Sequence, residues 1–315
     1  MESLKIKDGI IGLAVGDAIG VPVEFKPRIF LRRSPVVEMA GYGTHSQPAG
    51  TWSDDSSMVF CTMESLCGGY SVKDIAKKFC SWISEGLWTP YGNVFDAGIT
   101  TRSALDKVSR GIEPPFCGES GEQSNGNGSL MRILPLAYYF FCDDIYKRLG
   151  AVHEVSEITH SHMRSKIGCT IFIELVINLI KGYSKAEALE NTCRAILDFY
   201  KRADDKSELE AYFRILSRGI VKVPEAKIKS SGYIVDTLEA AIWCLFNSSS
   251  YSEAVLRAVN LGEDTDTVGA VTGALAATYY GYGDIPEKWT SSLARKEEIF
   301  ALIGRFEQKV TSETV

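Results

Sequence analysis

Asp264-Thr-Asp-Thr-Val-Gly-Ala-Val-Thr-Gly-Ala-Leu-Ala-Ala-Thr-Tyr-Tyr280 reads as one helix with an acidic head and an apolar body. Gly269, Gly273 and Ala277 recur at four-residue intervals, so small side chains fall along one face. In a membrane this spacing marks a dimerising helix. In a globular bundle it lets a neighbouring helix come close. Gly9, Gly12 and Gly16 repeat the pattern near the start of the chain, where Leu4, Ile10, Ile11, Ala14, Ala18 and Ile19 could line one helical face. The two helices are expected to cross at the centre of a bundle.

Helical spacing continues through most of the chain. Met58–Leu66, Val72–Ile83, Ala97–Val108, Asp144–Thr159, Ile167–Ile180, Lys185–Tyr200, Val235–Phe246, Ser252–Val259 and Ser292–Lys309 all follow it. Ser129–Phe141 is apolar, with Pro135 expected to bend or end it. Only Ile29–Glu38 and Gly219–Lys229 offer short strand candidates. No Pro-, Gly- or Ser-rich linker divides the chain. The expectation is therefore an all-α, compact single-domain helical bundle spanning residues 1–315. The polar loop Gly111–Asn127, with Pro114-Pro115, is long for such a domain, and loops of this kind often carry function.

Composition narrows the function. The chain has 315 residues, 45% hydrophobic and 23% charged, as ordinary globular proteins do. A net charge of −6 without a block of like charges argues against nucleic-acid or anionic-membrane partners. It leaves room for a phosphate-bearing small molecule held by metal ions. Eight cysteines without a Cys-x-x-Cys pair, and four histidines, disfavour a Cys/His zinc site. The thiols are expected to be mostly buried and reduced, in a cytoplasmic setting. The N-terminus lacks a basic region followed by an unbroken apolar stretch, so no signal peptide is evident. Ile167–Ile180 and Val268–Tyr280 are too short or too interrupted to span a bilayer.

Two acidic clusters carry the chemistry. Ser53-Asp54-Asp55 and Asp264-Thr265-Asp266-Thr267 each follow a Gly-containing turn and open an apolar helix, about 200 residues apart. Ser and Asp are preferred helix caps, and acids in a first turn complement the helix dipole. A cap, however, needs one residue, and each cluster supplies two carboxylates and a hydroxyl. Such oxygen ligands suit hard divalent cations, so clusters brought together by the fold would form a two-metal hydrolytic site.

Other segments have plainer alternatives. Glu24 follows the stop signals Gly20 and Pro22. It is either an exposed loop acid or a carboxylate turned to the metals, able to orient or deprotonate water. Asp17 could only cap or brace this corner. Asn125-Gly-Asn-Gly-Ser-Leu-Met-Arg132 is a turn, or a loop presenting backbone N–H groups to phosphate ahead of a helix. Arg132 could pair with that phosphate or with a neighbouring acid. His160 meets helix carbonyls or a substrate. Tyr233 packs in the core or stacks on a base.

Taken together these segments resemble the ADP-ribosylglycohydrolase family. The matching stretches are Gly12–Glu24, Gly50–Met58, Asn125–Arg132, Thr159-His160, Ser231–Leu238 and Asn260–Ala270, in family order. The resemblance implies an all-α fold with two Mg²⁺ (or Mn²⁺) ions in a central cleft. Ser53, Asp54 and Asp55 would ligate from one side, and Asp264, Asp266 and Thr267 from the other. Glu24 matches the family's mobile acid, and Asp55 or Glu24 would remove a proton from water. Asn127, Gly128 and Ser129 would lie against ADP-ribose, His160 near its distal ribose or phosphates, and Tyr233 near the nucleotide or the scissile bond.

Asn93-Val-Phe-Asp-Ala-Gly98 resembles the dinitrogenase-reductase-activating branch, in which an Asp at the position of Asp96 faces the guanidinium of ADP-ribosyl-arginine. Its plainer role would be the cap of helix 97–108. The implied activity is hydrolysis of an ADP-ribosyl bond to a protein side chain, arginine before serine. A small ADP-ribosyl or ribosyl metabolite, or a non-catalytic ADP-ribose-binding module, is an alternative. The expected partner is an ADP-ribosylated protein or small molecule, and a monomer is favoured. Glu263 stands where the family usually has a small residue, next to the second cluster.

Overall fold

A computed structural model describes residues 4–114, 116–202 and 204–313, so Met1–Ser3, Pro115, Ala203 and the C-terminal pair lie outside the described residues. The α-helices are α1 (Ile6–Gly20), α2 (Arg28–Arg33), α3 (Asp54–Leu66), α4 (Val72–Glu85), α5 (Ile99–Ser109), α6 (Pro135–Tyr139), α7 (Ile145–Glu157) and α8 (Met163–Ile180). They continue as α9 (Lys185–Phe199), α10 (Phe213–Leu216), α11 (Ile234–Phe246), α12 (Tyr251–Val259), α13 (Thr265–Tyr280), α14 (Glu287–Ser292) and α15 (Lys296–Glu313). The fold is all-α, and among the described residues β-pairing is limited to isolated bridges such as Gly126 with Tyr233.

The expected central crossing is present. α1 is buried from Gly9 to Gly20 and α13 from Thr265 to Thr278, as helices that are apolar all round must be. A Cβ on Gly16 would stand 2.1 Å from the Gly269 carbonyl oxygen, and one on Gly273 would stand 2.1 Å from that of Gly12. The helices thus touch backbone to backbone along the small-residue faces. At the end of the crossing, a Cβ on Gly20 would meet the Asp266 backbone at 2.4 Å. That contact fixes the start of α13 beside the end of α1, and so sets where both acidic clusters sit.

α8 is buried from Ile167 to Ile180 and forms a second apolar pillar. No helix among the described residues is long and apolar enough to cross a membrane. The cysteines are free, with Cys61, Cys117, Cys169, Cys193 and Cys244 buried and Cys142 exposed.

Three expectations are corrected. Neither strand candidate is a strand: Arg28–Arg33 is helical, and Gly219–Lys222 and Glu225–Lys227 are 3₁₀ turns separated by Pro224. The Arg28 guanidinium ties these segments together by donating to Leu261 O (2.7 Å), Ile228 O (2.6 Å) and Glu225 O (3.0 Å). Pro135 begins α6 rather than ending a helix, because a first-turn residue needs no N–H donor. The segment Ser292–Lys309 breaks after α14, and Arg295 is left-handed at φ 48°. In the break, Ala294 N–H donates to Gly50 O at 3.0 Å and braces the turn ahead of Ser53.

Candidate metal and substrate cleft

The two helix N-termini that bear the acids meet. Ser53 caps α3, its hydroxyl accepting from Asp55 N–H at 3.3 Å and donating to Asp55 Oδ2 at 3.0 Å. Asp17, on α1, acts as a second cap from outside the helix. Its carboxylate accepts from Ser53 N–H (2.9 Å), Ser56 N–H (3.1 Å) and the Ser56 hydroxyl (2.5 Å). Burial pushes Asp17 up to about 6, against the opposing pull of those hydrogen bonds. From α13, the Thr267 hydroxyl reaches Asp55 Oδ2 at 3.3 Å, so the clusters are in direct contact.

The other acids close around this contact. Glu24, Asp264 and Asp266 bring carboxylate oxygens within 4.8 Å of one another. Asp54 and Thr267 line the same cleft, of about 320 Å³, with Asp96, Asn127, Gly128 and His160. Burial first, then mutual repulsion, pushes the carboxyls of Asp54, Asp55 and Asp266 well above the ordinary range. Burial also raises Asp264. Asp55 Oδ1 and Asp266 Oδ2 are buried with no hydrogen-bond partner among the described residues. Unpaired buried carboxylate oxygens are costly unless something positive joins them. The donor set is hard oxygen throughout, and it fits divalent cations such as Mg²⁺ or Mn²⁺.

Glu24 belongs to a second group as well. Its carboxyl is hydrogen-bonded to His45 Nε2 and to Asp96, and the three side chains are close enough to share one ion. Burial, then the charges of Asp96, Asp264 and Asp55, push Glu24 up to about 10. Asp96 is not the cap of α5, which starts at Ile99 after Gly98. Its backbone is left-handed at φ 49°, which is uncommon outside glycine. His45 was not identifiable from the sequence. It sits in the 3₁₀ turn Gly43–His45, and only the folding of that loop onto Pro22–Glu24 brings it in.

Glu263 has an exposed side chain. Its backbone has the structural role. At φ 62° it pairs with Phe25 at φ 63°. Phe25 N–H donates to Glu263 O (2.7 Å) and Glu263 N–H donates to Lys26 O (2.9 Å). A left-handed backbone accounts for why a small residue would suit this position.

The glycine-rich loop behaves unevenly. Asn127 Nδ2 donates to Asp264 Oδ2 at 2.8 Å and Thr237 Oγ1 at 2.9 Å, so it orients an acid. Gly128 lines the cleft, but the Ser129 side chain does not reach it. That hydroxyl is fully buried against Cys169 Sγ at 3.4 Å. Arg132 forms no ion pair with an acid among the described residues. It is buried over the Phe79 ring and donates to Gly128 O (2.9 Å) and Val155 O (3.2 Å), bracing the loop from behind.

His160 lines the cleft, and burial lowers it to about 3, so it presents a neutral ring. Its Nδ1 meets the Thr159 hydroxyl at 2.7 Å. Tyr233 lines an adjoining pocket with Arg164, Glu122 and Asn125, continuous with the cleft at Gly126 and Gly232.

Known proteins share this arrangement of chain. A family model described as ADP-ribosylglycohydrolase matches residues 3–314. The ADP-ribosylarginine hydrolase Tri1 of Serratia proteamaculans (strain 568) is 33% identical, over 95% of this chain and 78% of that protein. The ADP-ribosyl-[dinitrogen reductase] glycohydrolase of Rhodospirillum rubrum is 30% identical, over 91% of this chain and 90% of its own. A solved ADP-ribosylglycohydrolase-related protein complex contains a chain that superposes with a TM-score of 0.81 at 32% identity, covering 98% of this chain and 99% of that one.

Proposed function

The chain belongs to the ADP-ribosylglycohydrolase family, and from that premise we propose that it hydrolyses the bond between ADP-ribose and an arginine side chain of a protein. The observation that carries the arginine reading is the meeting of Glu24 and Asp96 beside the acidic clusters. A guanidinium is permanently charged and planar, and two converging carboxyls are its natural partners. The names of the relatives from Serratia and Rhodospirillum support the same class.

Ser53, Asp54 and Asp55 on α3, with Asp264, Asp266 and Thr267 on α13, would hold two Mg²⁺ or Mn²⁺ ions. Bound there, the ions would supply Lewis-acid polarisation and acidify a water molecule. The protein's own groups do the rest. Asn127 holds Asp264 in orientation, and Thr267 and Ser53 hold Asp55. Asp55 or Glu24 takes the proton as water attacks the anomeric carbon and the carbon–nitrogen bond breaks. Asp96 holds the departing guanidine. The neutral His160 ring offers a hydrogen bond to ribose without adding charge. The adjoining pocket gives the nucleotide Tyr233 to pack on and Arg164, already paired with Glu208, as a cation nearby.

The test compares ADP-ribose release from arginine-linked and serine-linked substrates, with Mg²⁺, Mn²⁺ or a chelator. Faster metal-dependent release from the arginine linkage is expected. Preference for serine would replace the arginine assignment, and no release from either would sink the hydrolase reading.

A further inference from the structure

The Glu24 carboxyl has two hydrogen-bond partners among the described residues, His45 Nε2 and Asp96. An arginine-linked substrate takes one of them away. A guanidinium is a stronger partner for the Asp96 carboxylate than a neighbouring carboxyl is, so Asp96 turns to the substrate when it binds. Glutamate is a long side chain with much rotamer freedom to lose. With Asp96 engaged, only His45 is left to hold it.

The imidazole is not needed to fold its own loop. Gly43 leaves no room for a Cβ against the Pro22 carbonyl, the Thr44 hydroxyl donates to Glu24 O at 2.8 Å, and Gln47 Nε2 donates to His45 O at 3.1 Å. Backbone and neighbours therefore seat the turn, and the ring is left for another task. It is also held in place. Its centroid lies 6.1 Å from that of Phe25 and 5.1 Å from that of Phe95. Phe25 follows Glu24 and Phe95 precedes Asp96, so the segments that carry the two acids also flank the ring. The His45 side chain is only 14% exposed, which limits competition from water for its bond to Glu24. Resting on the arginine-linked reading, with Glu24 as the group that takes the proton, we infer that His45 is a positioning residue for the hydrolysis. It keeps the Glu24 carboxyl in place while Asp96 is occupied by the guanidinium. It touches no reacting atom and acts only through Glu24.

The experiment measures kcat and KM for release of ADP-ribose from an arginine-linked peptide with Mg²⁺ present. Wild type, His45→Leu, His45→Gln, Glu24→Ala and the double variant His45→Leu/Glu24→Ala are compared. His45→Leu should lower kcat on the order of tenfold, the scale of a lost orienting partner, with KM nearly unchanged. His45→Gln, whose amide nitrogen can stand in for Nε2, should recover most of that loss. Glu24→Ala should lower kcat on the order of 10²-fold. Adding His45→Leu to it should cost nothing more, because residues that act as a unit are not additive. A histidine that only braces the structure would cost as much in the Glu24→Ala background as in wild type. Multiplying losses, an unchanged kcat in His45→Leu or Glu24→Ala, or a His45→Gln no better than His45→Leu would overturn the inference. No release by wild type would instead remove the arginine-linked reading beneath it, so wild type alone tells the two failures apart.

Discussion

The two walls of the cleft are built by different means. One wall carries Asp54, Asp55, Asp264 and Asp266 on the first turns of α3 and α13, held by the glycine crossing and by Asp17. The other carries Glu24, His45 and Asp96 on loops whose residues Phe25 and Asp96 take left-handed backbones. Acids on helix ends seated in a packed core are placed by structure that cannot shift without unfolding. Loops can differ between relatives while that core stays the same. Under the proposed function, the first wall would supply the common chemistry and the second the choice of leaving group.

The largest expected effect attacks the helical wall. Asp266→Asn and Asp55→Asn should each lower kcat on the order of 10³-fold with Mg²⁺ present, the scale seen when a key electrostatic group is lost. Wild-type turnover in both would end the metal assignment.

The next effect is on stability. Gly16→Ala drives a methyl to 2.1 Å from a backbone oxygen and should cost about 3 kcal/mol in urea unfolding. Gly98→Ala, on the loop wall, meets nothing closer than 3.9 Å and should be neutral. Equal costs would erase the distinction between the walls.

A third prediction concerns pH. Asp17, raised to about 6, and Glu24, raised to about 10, bind protons more tightly folded than unfolded. Their contribution is complete below the unfolded carboxylate range and is lost as pH rises through the folded values. Metal-free protein should therefore melt at lower temperature as pH rises. The gain on adding Mg²⁺ should grow from about pH 5 to about pH 9, since ligands must be ionised to bind. A gain that does not vary with pH would mean that the ions bind elsewhere.

The smallest effect is at Glu263. Asn tolerates a left-handed backbone better than Glu, so Glu263→Asn should add about 0.5 kcal/mol and leave turnover unchanged. A large loss of activity would give the exposed carboxylate a role that its position does not suggest.

How much could be read in advance follows the same division. The acids, and the small-residue faces of α1 and α13, are visible because their meaning lies in residue type and spacing. Glu24 is visible through its neighbours Gly20 and Pro22. His45 is not, because its place depends on where a loop of unremarkable composition folds back. The burial of the Ser129 hydroxyl is not visible either, because a loop motif does not say which side chains face inward. For Asp96 the motif offers a guanidinium partner or a helix cap, and the cap position is Gly98, two residues later. Arg28, which joins three distant segments, left only a false hint of alternation behind.

The paired left-handed residues have one more consequence. Glu24 sits on a backbone fastened on both sides, by Phe25 and Lys26 to Glu263 and by its own carbonyl to the Thr44 hydroxyl at 2.8 Å. An acid anchored in this way has a fixed fulcrum. Its carboxylate lies within 4.8 Å of the His45 and Asp96 groups and of the Asp264 and Asp266 carboxylates at once. With the main chain held, any adjustment between the two sets falls to the side-chain torsions, whose rotations are faster and smaller than loop movements. The length of a glutamate side chain then sets its reach.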